Sequence, residues 1–275
     1  MILSWPPHIK AGSSARQLQL RRALAMAPLA AAGLYHQGLA FLWVLLATLL
    51  AGVAASLALK RVRPTAVRWE RALGHSLAVA LLLPAGYPWQ AAWAWAALAV
   101  GLEWLLCERD QLPPVNPVAA AMAAMLMLNV RYATAMAPAG PAWMGPGGQA
   151  YLAGTGPAIL TALAALALLG GRLKILISLL YISIAGALYM ISSNGPPPAA
   201  LASGLLFSAV LLAPDDPSSP RSPWGQAAFG AMAGALFALF AARGMAMAAI
   251  VWPALAASLF TPWLDHAFSY RTLRA

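Results

Sequence analysis

The sequence predicts an all-α integral membrane protein whose ten transmembrane helices form two inverted repeats of five. Three observations predict this class: the composition, the lengths of the apolar runs and the placement of the basic residues. Hydrophobic residues make up 62% of the 275 residues and charged residues make up 9%, whereas a soluble domain has about 25% charged residues. The mean hydropathy is +0.73. A soluble globular protein is therefore excluded.

Ten apolar runs approach or reach the length of about 17–25 residues that a helix needs to cross a bilayer. In chain order we place them at Leu18–Leu34, Leu39–Leu59, Ala72–Gly86, Trp89–Leu106, Val115–Met136, Pro157–Gly170, Leu173–Ile191, Ala199–Ala213, Trp224–Ala242 and Met245–Trp263. The third, sixth and eighth runs are short, which favours broken or tilted helices.

The basic residues test this count, because the cytoplasmic loops of membrane proteins are enriched in Lys and Arg. With a cytoplasmic N-terminus, fifteen of the 17 Lys and Arg residues fall on the cytoplasmic side, and only Arg131 and Arg243 fall outside. Both termini are therefore expected to be cytoplasmic. The net charge of +10 reflects this topology and does not indicate a nucleic-acid partner.

Two proline-broken segments indicate an internal repeat. Leu77–Ala92 shares its order of leucine, proline and Pro-Trp residues with Ser203–Gly230. An odd number of spans per repeat inverts the second half, and inverted repeats place their functional region at the interface of broken helices. We expect a cytoplasmic segment at 1–17 and a first five-helix repeat at 18–136. An extracytoplasmic linker at 137–156 then leads to a second five-helix repeat at 157–263 and a cytoplasmic tail at 264–275.

The sequence contains no self-contained catalytic or metal-binding motif. Its single cysteine excludes a disulfide framework and an iron–sulfur cluster held by this chain alone, since a cluster needs about four ligands. The four histidines are scattered, and no special role is expected for His36 and His75 near span ends. No Ser-His-Asp set, HExxH, P-loop or dinucleotide-binding motif is present. We therefore predict no catalytic residues, no metal ligands and no stand-alone enzymatic activity.

Polar residues at two span ends are the candidates for a functional site. The Pro214–Pro220 segment is predicted to form a rigid loop, because proline cannot continue a helix. Its Asp215 and Asp216 could coordinate a cation, cap the next helix or contact a partner. Asn116 precedes a proline, as an N-cap does, and a cofactor contact is the alternative. Glu103 is ionisable within a span, which makes it a functional candidate, although it lies close enough to the interface to reach water.

Several motifs, spread over nearly the whole chain, resemble those of one family. Pro7-His8 resembles its N-terminal S-P-H, and Asn116-Pro117-Val118-Ala119 resembles its F-N-P-A. The most specific match is Asp216-Pro217-Ser218-Ser219-Pro220 followed by Pro223-Trp224-Gly225-Gln226, which resembles D-P-x-T-S-P…P-x-G-Q. Leu259–Ala267 resembles the final N-x-x-x-P-x-I-D. The family is that of the D subunit of Rnf electron-transport complexes and its homologue, the B subunit of the sodium-pumping NADH:quinone reductase.

The resemblance implies ten helices in a urea-transporter-like inverted repeat and membrane partners in a redox complex. The candidate loop or partner-binding motif consists of Asp215, Asp216, Pro217, Ser219 and Gln226.

The family also attaches FMN by a phosphoester bond to the threonine of S-G-A-T, in the loop before the sixth span. Here alignment on the following proline places Gly156 at the acceptor position and shifts Thr155 by one residue. The candidate FMN-binding residues are Gly154, Thr155, Gly156 and Asn116. We nevertheless expect no covalent FMN on this chain.

We therefore predict an integral-membrane subunit of an Rnf-like electron-transport complex in the bacterial inner membrane, supporting transmembrane electron transfer without its own covalent FMN. Its expected partners are the other membrane subunits of the complex and the lipid bilayer. Two alternatives are a non-redox scaffold or assembly subunit and a urea-transporter-like channel for small solutes. Bound flavin would favour the redox role, and a continuous polar pore would favour the channel.

Overall fold

A computed structural model describes residues 15–62, 69–84, 87–106, 115–128, 174–193, 199–215 and 218–269. Within these ranges the chain forms helices and no strands. The helices are α1 (Ala15–Gln37), α2 (Leu39–Lys60), α3 (Trp69–Leu82), α4 (Trp89–Leu106), α5 (Pro117–Leu128), α6 (Ile175–Ser193), α7 (Ala199–Phe207), α8 (Pro223–Ala242), α9 (Ala246–Leu259) and α10 (Thr261–Ser269). A π-helical turn, Ser208–Leu212, continues α7.

The helices follow the predicted apolar runs closely wherever the chain is described. The fourth run coincides with α4, and eight others overlap a helix. The sixth run, 157–170, lies outside the described residues. Among the described helices, α2, α6 and α8 are each long and apolar enough to cross a membrane. The pair α9 and α10 is a fourth candidate if it forms one bent span.

The last predicted run, Met245–Trp263, covers two helices that meet at a bend. α9 ends at Leu259, and the axis of α10 is bent by 48° relative to it. The physical reason lies in polar contacts made by this corner. Thr261 donates a hydrogen bond from Oγ1 to the carbonyl of Ser218 at 2.7 Å, and Asp265 accepts one from the backbone N–H of Arg221 at 2.9 Å. These contacts direct α10 toward the loop before α8.

Small residues bring the two most extensive helix pairs together, α2 with α4 and α6 with α8. On α4, Ala92, Ala96 and Ala99 are all fully buried. On α8, a Cβ at Gly230 would lie 2.6 Å from the carbonyl oxygen of Ile177 on α6. Close backbone approach of this kind stabilises helix pairs in lipid, where no hydrophobic effect drives association.

One end of the helix bundle gathers a group of buried and partly buried polar side chains. We call it the polar end and define it by Arg22, Arg71, Glu103, Asn116, Lys174, Asp215 and Ser258. These residues lie near the starts of α1, α3, α5 and α6 and near the ends of α4, the π-helical turn and α9. The contacts described below connect them. Because each helix is rigid, a helix that starts at the polar end runs away from it, and a helix that ends there runs toward it.

Candidate functional site

The π-helical turn at the end of α7 lies at the centre of the polar end. The backbone N–H of Ala213 donates to the carbonyl of Ser208, five residues earlier, at 2.8 Å. A turn of this kind leaves carbonyls without their usual helical donor, and buried carbonyls need another partner. Three of them accept side-chain hydrogen bonds: Ala209 from Ser178 (2.7 Å), Leu211 from Arg22 (3.0 Å) and Leu212 from Asn116 (2.8 Å). Side chains from three other elements thus hold the turn, and π-helical turns are frequent at functional sites.

A chain of hydroxyl groups extends from this turn into the core. Ser208 donates a hydrogen bond to the carbonyl of Ile250 on α9 at 2.8 Å. Its oxygen lies 3.0 Å from the hydroxyl of Tyr181 on α6. Because the single proton of Ser208 is directed to Ile250, Tyr181 is the donor of that second bond. The hydroxyl chain therefore connects α6, the π-helical turn and α9.

Asp215 follows the turn and forms a buried ion pair with Arg22 of α1. The same guanidinium reaches the carbonyl of Leu211 through its second nitrogen, so it connects α1 to the turn and the loop together. Burial alone would raise the pKa of Asp215. The opposing charge of Arg22, with smaller contributions from His75 and Arg71, holds the pKa of this carboxyl below its ordinary value of 3.8. Asp215 is therefore ionised throughout the physiological pH range.

The described part of the loop after Asp215 is held by hydrogen bonds from the residue that precedes α6. Lys174, just before α6, donates from Nζ to the carbonyl of Ser219 at 2.9 Å and to its Oγ at 2.7 Å. Ser219 in turn donates from Oγ to the carbonyl of Asp215 at 2.7 Å. α8 then begins with Ser222 as its N-cap, which accepts from the N–H of Gly225 at 3.1 Å. The loop is therefore an ordered connection on both sides.

The predicted motif residue Gln226 takes a local position at the start of α8. Its Nε2 lies 3.4 Å from the carbonyl oxygen of Arg221, to which it donates. Asp216 and Pro217 lie outside the described residues, as do Gly154, Thr155 and Gly156. Of the candidate site residues, the structure therefore brings Asn116, Asp215 and Ser219 together around one turn, with Gln226 at its margin.

Asn116 joins three elements of the bundle. Its Oδ1 accepts from the N–H of Ala119 at 3.0 Å, which makes it the N-cap of α5. Its Nδ2 donates to the carbonyl of Leu212 at 2.8 Å. Its backbone N–H donates to Oγ of Ser258 on α9 at 3.3 Å. Its own carbonyl accepts a hydrogen bond within α5. Every polar atom of Asn116 thus has a protein partner, and this geometry supports a connecting role.

Replacing Asn116 by alanine is expected to lower the free energy of unfolding by about 2–4 kcal/mol. The helix loses its cap, which costs about 1 kcal/mol, and the buried carbonyl of Leu212 loses its donor, which costs about 1–3 kcal/mol. Asn116→Ser separates the two effects, because serine is an equally good N-cap but is too short to reach Leu212. Thermal unfolding of the purified protein in detergent should place Asn116→Ser between wild type and Asn116→Ala. A stability for Asn116→Ser equal to that of the wild type would mean that the Leu212 contact contributes nothing.

A second group of buried charges connects α3 to α4 at the same end. Glu103 is only 1% exposed. Its carboxylate therefore does not reach water, although its position near the end of the span had left that possible. Its Oε1 accepts from Arg71 at 3.0 Å, and its Oε2 lies 3.1 Å from Nε2 of His75. His75 therefore lies beside a buried carboxylate.

Sequence reasoning missed Arg22, Lys174 and Arg71 as parts of this site. Each is a cation at the start of a span, and such residues are expected from topology alone. Their positions in the sequence therefore carry no signal that separates an ion-pair partner from a residue that faces the lipid headgroups. Among the described residues, no group of three or more His, Cys, Asp or Glu side chains could hold a metal ion.

Comparison with known proteins gives one family. The family model described as NQR2, RnfD, RnfE family matches residues 2–194 and 154–274, so the two matches together span nearly the whole chain. No curated protein matches the chain at a significant level. The matched region contains every residue of the polar end.

Proposed function

Because the chain belongs to the NQR2, RnfD, RnfE family, we propose that it is an integral-membrane subunit of an Rnf-like electron-transport complex in the bacterial inner membrane. The observation that carries this proposal is the family match along residues 2–274. The geometry adds support, since the loop with the most specific family motif is also the loop that Arg22 and Lys174 tie to the rest of the bundle. In this role the chain supports electron transfer across the membrane as one part of a larger assembly.

We further propose that the chain crosses the membrane ten times, with both termini cytoplasmic, as two inverted repeats of five. The described helix directions support this count. Asn116 at the start of α5 and Lys174 before α6 both belong to the polar end, so α5 ends at the opposite end from the start of α6. The apolar run 157–170 has the composition for the additional crossing that ten spans require. The pairing of α2 with α4 and of α6 with α8 supports a repeat.

The flavin is the part of the proposal for which the chain departs from its family. Thr155 is displaced by one residue from the expected acceptor position, which Gly156 occupies. In an extended loop a shift of one residue turns a side chain to the other side of the backbone. This acceptor loop lies outside the described residues, so the proposal depends on sequence here. We propose that the chain has no covalent FMN and that its partner subunits carry the redox cofactors.

Two alternatives are separated by specific observations. A non-redox scaffold or assembly subunit is favoured by the displaced threonine. A solute channel is disfavoured by three hydroxyl groups inside α2 and α3, because each donates to a backbone carbonyl of its own helix: Thr48 to Leu45, Ser56 to Val53 and Ser76 to Ala72. Side chains that are hydrogen-bonded to their own helix do not offer a solute a continuous polar path.

Purification of the tagged chain in mild detergent from its native membranes tests both parts of the proposal. We expect co-purified subunits with flavin or iron–sulfur absorption, and no flavin fluorescence on the denatured chain itself. Purification without any redox-active partner would contradict the electron-transport role. A fluorescent band with the added mass of one FMN, lost in Thr155→Ala but kept in the control Thr161→Ala, would contradict the proposed absence of covalent flavin.

A further inference from the structure

The outer surface of the polar end has a corner where α10 meets the loop before α8. The backbone N–H of Arg221 donates to Oδ1 of Asp265 on α10 at 2.9 Å, and Thr261 at the start of α10 donates to the carbonyl of Ser218. These two contacts place the first two turns of α10 beside residues 218–222, directly before α8 begins. We call this surface the α8–α10 corner and define it by Arg221, Trp224 and Trp263.

The α8–α10 corner lies at the depth where the lipid headgroups begin. α8 has 20 residues and is therefore about 30 Å long, which is also about the thickness of the hydrocarbon core of a bilayer. Since α8 is apolar enough to cross the membrane, its first turn lies at one boundary of that core. The loop before α8 and the first turns of α10 therefore lie at the level of the headgroups.

Two indoles and one guanidinium extend outward from this corner. Trp224 on α8 is 69% exposed and Trp263 on α10 is 65% exposed, and tryptophan is enriched at the boundary between hydrocarbon and water. Arg221 is exposed as well. Within the part of the chain that the structure describes, Arg221 forms hydrogen bonds only through its backbone N–H and its carbonyl. Its guanidinium is therefore available to a ligand.

The exposed charge at the polar end is positive. Arg21, Arg61 and Arg221 are exposed there, whereas the acidic residues that the structure describes are buried or partly buried: Glu70, Glu103, Asp215 and Asp265. This surface therefore attracts an anionic group, and a guanidinium binds a phosphate through two parallel hydrogen bonds. A zwitterionic headgroup has the same phosphate, but its own cation offsets the attraction.

We propose that the α8–α10 corner binds an anionic phospholipid of the surrounding bilayer. Arg221 contacts the lipid phosphate, and the indoles of Trp224 and Trp263 lie beside the lipid at headgroup depth. A lipid fits this corner better than a protein partner does, because exposed tryptophan and uncompensated positive charge at this depth are typical of a surface that faces anionic headgroups. The inference requires that α8 crosses the membrane and does not depend on the redox role.

Lipid titration of the purified full chain in mild detergent tests the proposal. The chain is titrated with dioleoylphosphatidylglycerol or with dioleoylphosphatidylcholine, and native mass spectrometry counts the bound lipids. We expect the wild type to bind phosphatidylglycerol more tightly, and we expect Arg221→Gln to lower that affinity about fivefold, the effect of one basic residue near an anionic surface. The matched control Arg243→Gln removes an exposed arginine at the other end of α8 and should keep the wild-type affinity. Equal losses in both variants, or no loss in Arg221→Gln, would overturn the proposal.

The contribution of the tryptophans has its own matched control in the same titration. Trp263→Ala should weaken the binding of phosphatidylglycerol, because the lipid loses an indole beside its headgroup. Trp43→Ala removes an indole of similar exposure, 63%, near the start of α2. This residue lies at the opposite end of the bundle, because α2 follows the end of α1, and its loss should leave the affinity unchanged. Equal effects of the two variants would contradict a site at the corner.

Photo-crosslinking in native membranes separates a lipid from a protein at this corner. The photoreactive amino acid p-benzoylphenylalanine replaces Trp263, whose exposed side chain can be changed without disturbing the core. After irradiation, the chain is examined by denaturing gel and by intact mass. We expect adducts with the added mass of one phospholipid. A covalent adduct with another membrane protein would assign the corner to a subunit interface and would overturn the proposal.

Discussion

Replacing Asp215 by alanine is expected to destabilise the protein by about 3–5 kcal/mol, the cost of leaving one member of a buried ion pair without its partner. The guanidinium of Arg22 is 13% exposed, so water cannot replace the lost carboxylate fully. The variant also removes an acceptor for the hydroxyl of Ser218, which lies 3.4 Å from Oδ2 of Asp215. Thermal or urea unfolding of the purified protein, followed by tryptophan fluorescence, would measure the change.

The matched control for this prediction is Asp265→Ala. Asp265 accepts one backbone hydrogen bond from the exposed Arg221, and the loss of a partly solvated contact should cost about 1 kcal/mol or less. Arg22→Met combined with Asp215→Ala should cost less than the sum of the two single changes, because the pair is removed together. Small and equal effects of Asp215→Ala and Asp265→Ala would show that the ion pair does not hold the loop.

The pH dependence of the Asp215 contribution has a defined sign. Since the pKa of this carboxyl is held below its ordinary value of 3.8, its stabilisation is present at neutral pH. It is lost only as the pH falls through the lowered pKa in the folded protein.

Replacing Gly234 by leucine is expected to separate α6 from α8 and to cost about 3 kcal/mol or more, at the upper end of the range for overpacking. A Cβ at this position would lie 2.7 Å from the carbonyl oxygen of Tyr181 and 3.1 Å from the backbone nitrogen of Ala185. Backbone atoms cannot rotate away as a side chain can. Displacement of α6 would also shift Tyr181 and Ser178, whose hydroxyl groups contact the π-helical turn. The yield of monodisperse protein and its unfolding midpoint should both fall.

Gly186 on α6 provides the control for this steric effect. A Cβ at Gly186 meets nothing within 4 Å, so Gly186→Leu adds the same side chain without a clash inside the chain. Its unfolding midpoint in detergent should stay close to that of the wild type. If Gly186→Leu and Gly234→Leu lower the midpoint equally, close packing at Gly234 is not the cause of the loss.

The sequence by itself determined the class of protein and the positions of most helices. Hydropathy and proline placement are local properties, so α4 matches its predicted bounds, and α8 begins where Ser222 and Pro223 form a cap and a first turn. The end of α8 is equally local: Gly244 has a φ of 74°, and glycine adopts this left-handed conformation without steric cost. The sequence motifs also predicted the family that the comparison confirmed.

Only the tertiary structure decided which polar residues meet. Arg22 and Asp215 are separated by 193 positions in the chain; Arg22 looked like an ordinary topological cation, and Asp215 was a candidate whose partner the sequence did not indicate. The bend between α9 and α10 and the place of His75 beside Glu103 were likewise invisible. Hydropathy, charge and proline signals describe a residue and its near neighbours, whereas an ion pair or a carbonyl that lacks a donor exists only after distant helices have packed together.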